Sequence, residues 1–474
     1  MINLKKYMKT RLALSIINYK KHRFEILYYF LLLLLSIFFH YGHALNADEG
    51  VVLNGAWNLL NNQRLYIDFV EIIPPGSFYL IYWGFKIFGA EYYVANIISL
   101  LLVFGSAIGI YKSLNLIKKQ QFNLLLPIIF VLSLAGLPII NHNLYNSFFI
   151  IWAVYFFILG LNKEKTLPFC MSGFFGGLAI IFLQQKGLAF WAASILFLFI
   201  YWIIKKEKEY FIKIINYVIF SLIPILVVLL SWPINILYHN LITFPMFNYW
   251  DVNKTPLYVF FIVLLIFLYF LYQLKNKSQE ISYLLFIQFF LLMTTLPLPD
   301  FYHVVLIVFP LLILSPTLYS VHNRWHKTTV VIILLAFTVL RFLYTLPTFE
   351  FFYNYKKDNP NWMEYIKKEC PGKYIYSAPF FPNLYFETKK INATPFGLLI
   401  EGYSTKEQFG EALISFKRNN PDCAVLIYYP SIENKFKHQG KNVLETYIIN
   451  NYEFISNEND ISIYKNRNIY YQNE

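Results

Sequence analysis

The sequence predicts a polytopic α-helical membrane protein that ends in a small soluble α/β domain. Of its 474 residues, 57% are hydrophobic and only 14% are charged, whereas about a quarter of the residues in soluble domains are charged. Apolar runs of about 20 residues, the length that crosses a bilayer, recur along most of the chain. After residue 347 these runs shorten to strand length.

About eleven apolar stretches predict membrane spans. The first, at 24–43, is too long for the apolar core of a signal peptide and lacks a small-residue cleavage site, so we expect a retained first helix. The stretch SFYLIYWGFKIFG at 77–89 is apolar but short, which favours an interfacial helix. The predicted spans are 24–43, 92–111, 122–140, 144–161, 167–184, 187–204, 212–238, 255–274, 281–298, 302–320 and 328–347.

The basic residues alternate from loop to loop as a membrane topology requires. The N-terminal tail, 1–23, holds seven Lys or Arg residues and no acid, and every second loop is also basic, whereas the intervening loops are slightly acidic. Positively charged loops stay in the cytoplasm, so we predict the tail inside and the segment 348–474 on the extracytoplasmic face of the cell (inner) membrane. The net charge of +13 is thereby explained by topology, and we expect no nucleic-acid partner.

The segment 348–474 has the alternating pattern of an α/β domain. Short apolar runs at 373–378 and 424–429 predict strands, with helical patterns between them, and 452–466 predicts a hairpin. We expect the first two strands to be parallel neighbours. Cys370 and Cys423 each precede one of them, so a disulfide and two free thiols are both open.

Acidic residues concentrate in the first outward loop, 44–91, which follows the first predicted span. Asp48 and Glu49 are adjacent at its start, Asp68 and Glu71 follow, and Pro-Pro-Gly at 74–76 forces a turn. Ionisable groups at a membrane edge are costly to bury and are therefore often functional. Later outward loops add His142, Lys186, Asp300 and His303.

The order of motifs in this loop resembles a known family. Asp-Glu-Gly, then Tyr-x-Asp, then Pro-Pro-Gly and an aromatic segment ending Phe-Gly-Ala resemble the first outer loop of GT-C superfold glycosyltransferases. The likeness is greatest to the branch of protein O-mannosyltransferases and lipid A aminoarabinose transferases. It extends over 24–347, and a small outward α/β domain after the spans is similar to members of the family.

The resemblance implies roles for individual residues. It makes Asp48 the catalytic carboxylate, with Glu49 beside it. The segment GGLAIIFLQQKGLAF resembles a lysine-containing segment of the family and points to Lys186. PLPDFYHVVLIVFPLLIL resembles a later loop-to-helix element, with Asp300, Tyr302 and His303 as substrate-binding residues.

These residues suit transfer of a hexosyl or pentosyl group from a polyprenyl-phosphate donor. The acceptor hydroxyl needs a base, for which we predict Asp48. The phosphate leaving group needs a cation, for which we predict Lys186 with Arg341. We therefore expect an inverting single displacement onto an acceptor glycan, lipid or protein, with membrane lipid as a further partner. The sequence leaves a cofactor or divalent metal open.

Each assignment has a structural alternative. Asp48 could be a helix cap or a solvated acid, and Glu49 a supporting acid, a metal ligand or a solvated side chain. Asp68 and Glu71 could be caps, a surface pair or acceptor-site residues. Lys186 and Arg341 could extend to the membrane surface. The i,i+3 spacing of Asp300 and His303 is weak support for a metal, and His142 is expected to be a polar loop residue. At the level of class, a transporter or lipid flippase and a glycan polymerase or ligase compete with the transferase.

Overall fold

A computed structural model describes most of the chain. Arg341, the last predicted span and nearly all of the N-terminal tail lie outside the described residues. The described ranges are 23–40, 47–163, 165–249, 255–274, 278–319, 361–427, 437–458 and 460–467.

The N-terminal two thirds of the described chain are helical, as a multi-pass membrane protein requires. Five described helices are long and apolar enough to cross a bilayer: α1 (Arg23–His40), α4 (Tyr92–Ile117), α6 (His142–Lys163), α8 (Gln184–Lys205) and α9 (Lys208–Ser231). Shorter apolar helices are α5 (Leu125–Ser133), α7 (Leu167–Phe182), α11 (Tyr258–Leu274), α12 (Gln279–Met293) and α14 (Phe309–Tyr319). The helical, membrane-spanning class is confirmed, whereas the predicted number of about eleven spans is not.

The predicted span at 122–140 is wrong as a single helix. A 3-10 turn, Gln121–Leu124, leads into α5, which ends at Ser133. Gly136 then takes a left-handed conformation, with φ of 67°, and Pro138 has no backbone N–H to donate. After Pro138 the chain turns toward the helix Ala47–Leu60, and the backbone amides of Ile139 and Ile140 donate to the carboxylate of Glu49 there.

Two other apolar stretches are also interrupted. The stretch at 302–320 forms α13 (Phe301–Val305) and α14, with a break just before Pro310. The helix predicted to reach 238 ends at Ser231, ahead of Pro233. The chain resumes there as α10 (Ile234–Tyr238) and continues in the π-helical turns His239–Thr243 and Pro245–Tyr249. A proline disfavours the helical conformation of the preceding residue, which explains the end of α9, where Trp232 before Pro233 is extended.

The first outer loop contains two packed helices, α2 (Ala47–Leu60) and α3 (Gly76–Phe88). Gly55 of α2 lies against the ring of Phe78 in α3, where a Cβ would collide. A Cβ on Gly76 would lie 2.6 Å from the carbonyl oxygen of Ile181, at the end of α7. The glycine of the Pro-Pro-Gly turn thus permits a close approach between the outer loop and the membrane helices.

The C-terminal part contains a five-stranded mixed sheet with the order β2-β1-β3-β5-β4. Its central strands β1 (Tyr374–Ala378) and β3 (Cys423–Ile427) are parallel neighbours, and β4 (Tyr452–Glu458) and β5 (Ile461–Asn466) form a hairpin, so both predictions are confirmed. A disulfide joins Cys370 to Cys423, with their Cα atoms 5.9 Å apart. The remaining elements are α15 (Asn361–Glu369), α16 (Asn383–Thr388), β2 (Ile391–Asn392), α17 (Lys406–Asn419) and α18 (Val443–Asn451).

The sheet domain is packed directly on the outer loop. Gly50, the glycine of Asp-Glu-Gly, touches the backbone and side chain of Asn383 in α16, so that any larger residue would collide there. The indole Nε1 of Trp57 donates to the carbonyl oxygen of Lys390 over 2.9 Å, and the rings of Phe85 and Phe386 stack 5.2 Å apart. The two parts of the chain therefore share a continuous interface.

Candidate functional site

Polar side chains from four helix starts meet at one place in the structure. α2 contributes Asp48 and Glu49 from its first turn, and the helix N-terminus favours carboxylates there. The other members are His142 and Asn143 from α6, Lys186 from α8, and Asp300, Tyr302 and His303 from the start of α13.

Glu49 is buried and fully engaged in holding the site together. Its Oε1 accepts hydrogen bonds from the backbone N–H groups of Ile139 and Ile140 over 3.0 and 3.3 Å. Its Oε2 accepts a hydrogen bond from the Tyr92 hydroxyl over 2.9 Å. These contacts join α2 to the loop after α5 and to α4, which fits the supporting role that the sequence left open for Glu49.

Asp48 differs from its neighbour because its side chain is exposed. Protein nevertheless surrounds the carboxyl group closely, and this desolvation raises its pKa. The charge of His303 opposes the shift, whereas the charge of Asp300 adds to it. Asp48 is thus a solvent-reached carboxyl group at the edge of a charged cluster, with the raised pKa that suits a base.

Asp300 and His303 form a tight pair at the start of α13. Asp300 Oδ1 caps the helix by accepting from the backbone N–H of His303 over 2.9 Å, and it lies 2.8 Å from Nδ1 of the same histidine. Burial raises the pKa of Asp300, but the hydrogen bonds and charge of His303, together with Lys186, outweigh it and leave the pKa below its usual value. Asp48 and Asp300 are therefore shifted in opposite directions, a pattern typical of carboxyl groups with different roles.

Lys186 is fully buried, with 0% of its surface exposed. Its Nζ donates to Asn143 Oδ1 over 2.8 Å. Asn143 is held in turn by Asn141, whose Oδ1 accepts from the backbone N–H of Asn143 over 2.8 Å. A Cβ on Gly187 would lie 2.5 Å from Ile180, so this glycine lets α8 begin close against α7. The position of Lys186 is inward, and not that of a lysine extending to the membrane surface.

Sequence reasoning missed His142 and Asn143. His142 lies within electrostatic range of both His303 and Lys186, and the amide of Asn143 contacts its Nε2 over 3.0 Å. The signal was present in the sequence as Asn-His-Asn between two apolar runs, the same setting as Asp48. A short polar stretch in an outer loop is too common to stand out until its contact with Lys186 is seen.

Of three other predicted site residues, Tyr302, Asp68 and Arg341, the structure places only Tyr302 in the cluster. Tyr302 lies within electrostatic range of Asp48, Glu49 and Asp300, so it belongs to the cluster. Asp68 forms a bidentate pair with Arg64, at 2.9 and 3.0 Å, and this local partner lowers the pKa of Asp68. Arg341 lies outside the described residues. Within the described part of the chain, no three His, Cys, Asp or Glu side chains group as metal ligands, and a metal remains open.

The helical membrane part followed by a small sheet domain is a fold that solved structures share. The chain is similar to ArnT from Cupriavidus metallidurans bound to undecaprenyl phosphate, with a TM-score of 0.57, 12% identity, and coverage of 93% of this chain and 97% of that one. The chain is also similar to the apo state of ArnT from the same organism, with a TM-score of 0.56 and 11% identity. The likeness covers 94% of this chain and 98% of that one. No family model and no curated protein sequence matches the chain.

A weaker likeness relates the chain to the Archaeoglobus fulgidus oligosaccharyltransferase tethered with an acceptor peptide. Its TM-score is 0.49 at 12% identity, with 94% of this chain and 74% of that one covered. The likeness to the two ArnT structures confirms, at the level of the fold, the resemblance predicted from the outer-loop motifs.

Proposed function

We propose that the chain is a membrane glycosyltransferase that moves a hexosyl or pentosyl group from a polyprenyl-phosphate donor to an acceptor hydroxyl. The observation that carries the proposal is the placement of a solvent-reached carboxyl group, Asp48, and a buried ammonium, Lys186, around the same Asp300. ArnT was solved with undecaprenyl phosphate, which supports a donor of that kind on this fold.

Lys186 is proposed to hold the donor phosphate. An ammonium has three hydrogen-bond donors, and among the described residues Lys186 uses one of them, on the neutral amide of Asn143. A buried charge is costly unless it is paired. A phosphate oxygen would supply that pairing, and it would gain most as negative charge returns to the leaving group. Arg341 is proposed as a second phosphate ligand.

Asp48 is proposed to accept the proton of the acceptor hydroxyl. The acceptor oxygen forms a bond to the anomeric carbon while the bond from that carbon to the phosphate oxygen breaks. The proton moves to the Asp48 carboxylate, and the phosphate leaves with the bonding electron pair, so the configuration at the anomeric carbon inverts. The raised pKa strengthens Asp48 as a base, and Glu49 positions it by fixing the start of α2.

Tyr302 and His303 are proposed to complete the substrate site with Asp300, whose lowered pKa keeps it ionised. Asp68 stays a proposed substrate-binding residue of the outer loop, although Arg64 already pairs with it. The basic tail and the alternation of basic loops support a cytoplasmic N-terminus in the cell (inner) membrane. On that topology, transfer takes place on the extracytoplasmic face, to an acceptor glycan, lipid or protein.

The test is transfer by the purified full-length protein in lipid nanodiscs with a radiolabelled polyprenyl-phosphate sugar. We expect sugar transfer by wild type, loss of transfer in Asp48→Asn, and unchanged transfer in Glu411→Gln, whose side chain is exposed on α17. Movement of the intact donor between leaflets without transfer would instead indicate a flippase and overturn the proposal.

A further inference from the structure

A cavity of about 60 Å³ lies between the outer loop and the sheet domain. Its walls come from the outer loop, the π-helical turns after α10 and the sheet domain, and hydrogen bonds join these three parts. The backbone N–H of Val70 donates to the carbonyl oxygen of Pro395 over 2.8 Å, and Asn248 Nδ2 donates to the carbonyl oxygen of Tyr403 over 3.0 Å. The cavity is therefore a built feature of the interface between the two parts of the chain.

Glu71 is the one charged side chain among the residues that line this cavity. The other lining groups are mostly apolar or aromatic, and they include Phe244, Phe380, Phe396 and Tyr403. No hydrogen bond or ion pair to the Glu71 carboxyl group is made by the described residues, and its burial raises its pKa to about 8. Glu71 is half-buried, so a ligand that enters the cavity can reach its carboxyl group and supply a hydrogen-bond partner.

The cavity also lies beside the proposed base. Val51, which lines the cavity, follows Asp48 by three positions in α2, and residues three apart are neighbours on one helix face. A molecule that places one end in the cavity can therefore extend past Val51 toward Asp48. That is the geometry of an acceptor, whose hydroxyl must reach the base.

We infer that this cavity binds the primary ammonium group of an amine-bearing acceptor, with Glu71 as the counter-ion; this inference rests on the proposed function. An ammonium compensates the charge of a carboxylate, which a hydroxyl cannot do. Aromatic faces attract cations as well, and the rings of Phe244 and Tyr403 meet edge-on at 5.6 Å. The volume accommodates the end of such a molecule and leaves its remainder outside, directed along α2.

The binding test compares glucosamine with glucose, two rings that differ by the amine, on the full chain in phosphatidylcholine nanodiscs. We expect glucosamine to bind at least about tenfold more tightly than glucose, because the hydrogen bond to a charged group is lost without the amine. Glu71→Gln should remove this preference, and Glu411→Gln should retain it. Equal binding of the two sugars, or a preference that survives Glu71→Gln, would overturn the inference.

A second variant leaves the carboxyl group in place. A Cβ on Gly397 would lie 3.4 Å from Glu71 Oε1, an ordinary contact that narrows the cavity without a collision. Gly397→Ala should therefore weaken glucosamine binding while the protein stays folded, and unchanged binding would count against the cavity. Phosphatidylethanolamine added to the nanodiscs distinguishes the source: competition with glucosamine indicates a lipid headgroup, and its absence indicates a glycan or other soluble amine.

Transfer assays on the same variants separate this inference from the proposed function. If wild type transfers sugar and Glu71→Gln raises the KM for an aminated acceptor without changing donor binding, both stand. If glucosamine binding depends on Glu71 but no sugar is transferred, the proposed function fails and the amine site stands. If sugar is transferred and amine binding is independent of Glu71, the inference alone is refuted.

Discussion

Replacement of Asp48 by Asn removes the proposed base and leaves the shape of the site in place. The amide has nearly the same volume, and the side chain is exposed, so the free energy of unfolding should change by less than about 0.5 kcal/mol. Donor binding should persist, because it is assigned to Lys186. The loss should therefore fall on kcat, with little change in the KM for the donor.

The size of the loss follows from the neighbouring carboxyl groups. General base catalysis contributes about 10²- to 10⁴-fold, or roughly 3–5 kcal/mol in the activation free energy. Glu49 is committed to two backbone amides and the Tyr92 hydroxyl, and the lowered pKa of Asp300 makes it a weak base. Neither can replace Asp48, so we expect a decrease of about a thousandfold or more.

The assay is the initial rate of sugar transfer at saturating donor, measured across pH. Because desolvation raises the pKa of Asp48, its base form is lost as the pH falls through that raised pKa. In wild type, kcat should therefore begin to decline at a higher pH than the ordinary aspartate pKa of 3.8 would give, and this acid limb should vanish in Asp48→Asn. A variant that keeps kcat within about threefold of wild type, with the same acid limb, would refute the assignment.

Three further predictions concern the surrounding contacts. Lys186→Met removes the buried ammonium and should raise the Kd for polyprenyl phosphate about tenfold or more in a lipid-binding assay, with Lys206→Met, an exposed lysine, as the control. Glu49→Ala leaves two buried amides without an acceptor, which should lower the free energy of unfolding by about 2–5 kcal/mol in denaturant titration, whereas an unchanged midpoint would contradict the role of Glu49 as a brace. Cys370→Ser with Cys423→Ser opens a loop of sequence separation 53 and should destabilise the sheet domain by about 4 kcal/mol on a chain-entropy basis, visible as earlier thermal unfolding of that domain.

The sheet domain was more predictable than the membrane part. Its short apolar strands and the hairpin at 452–466 follow from local patterns that tertiary contacts did not override, whereas the sequence left the pairing of Cys370 with Cys423 open. By contrast, hydropathy merged the residues on both sides of Pro138 and of Pro310 into single spans, because both sides are equally apolar. The prolines marked the breaks, but apolar content alone does not distinguish a helix from a buried loop.

For the site, the sequence placed Asp48, Lys186 and the pair Asp300–His303 on one side by sorting polar residues between spans. The resemblance singled out Asp48, but the sequence left the role of Glu49 open, because that role depends on the amides of Ile139 and Ile140, about 90 residues away in the chain. Nor could it identify Asn143, whose importance lies in one hydrogen bond to Lys186. Contacts between distant helix starts have no local signature.

The close contact of Gly50 with Asn383 couples the position of the proposed base to that of the sheet domain. Gly50 is two residues from Asp48 in the first turn of α2, and the backbone there has no room to slide past α16. A rigid-body displacement of the sheet domain would therefore shift the carboxyl group of Asp48 with it. A distance probe between the sheet and α2 would measure whether the proposed base and the sheet domain move together.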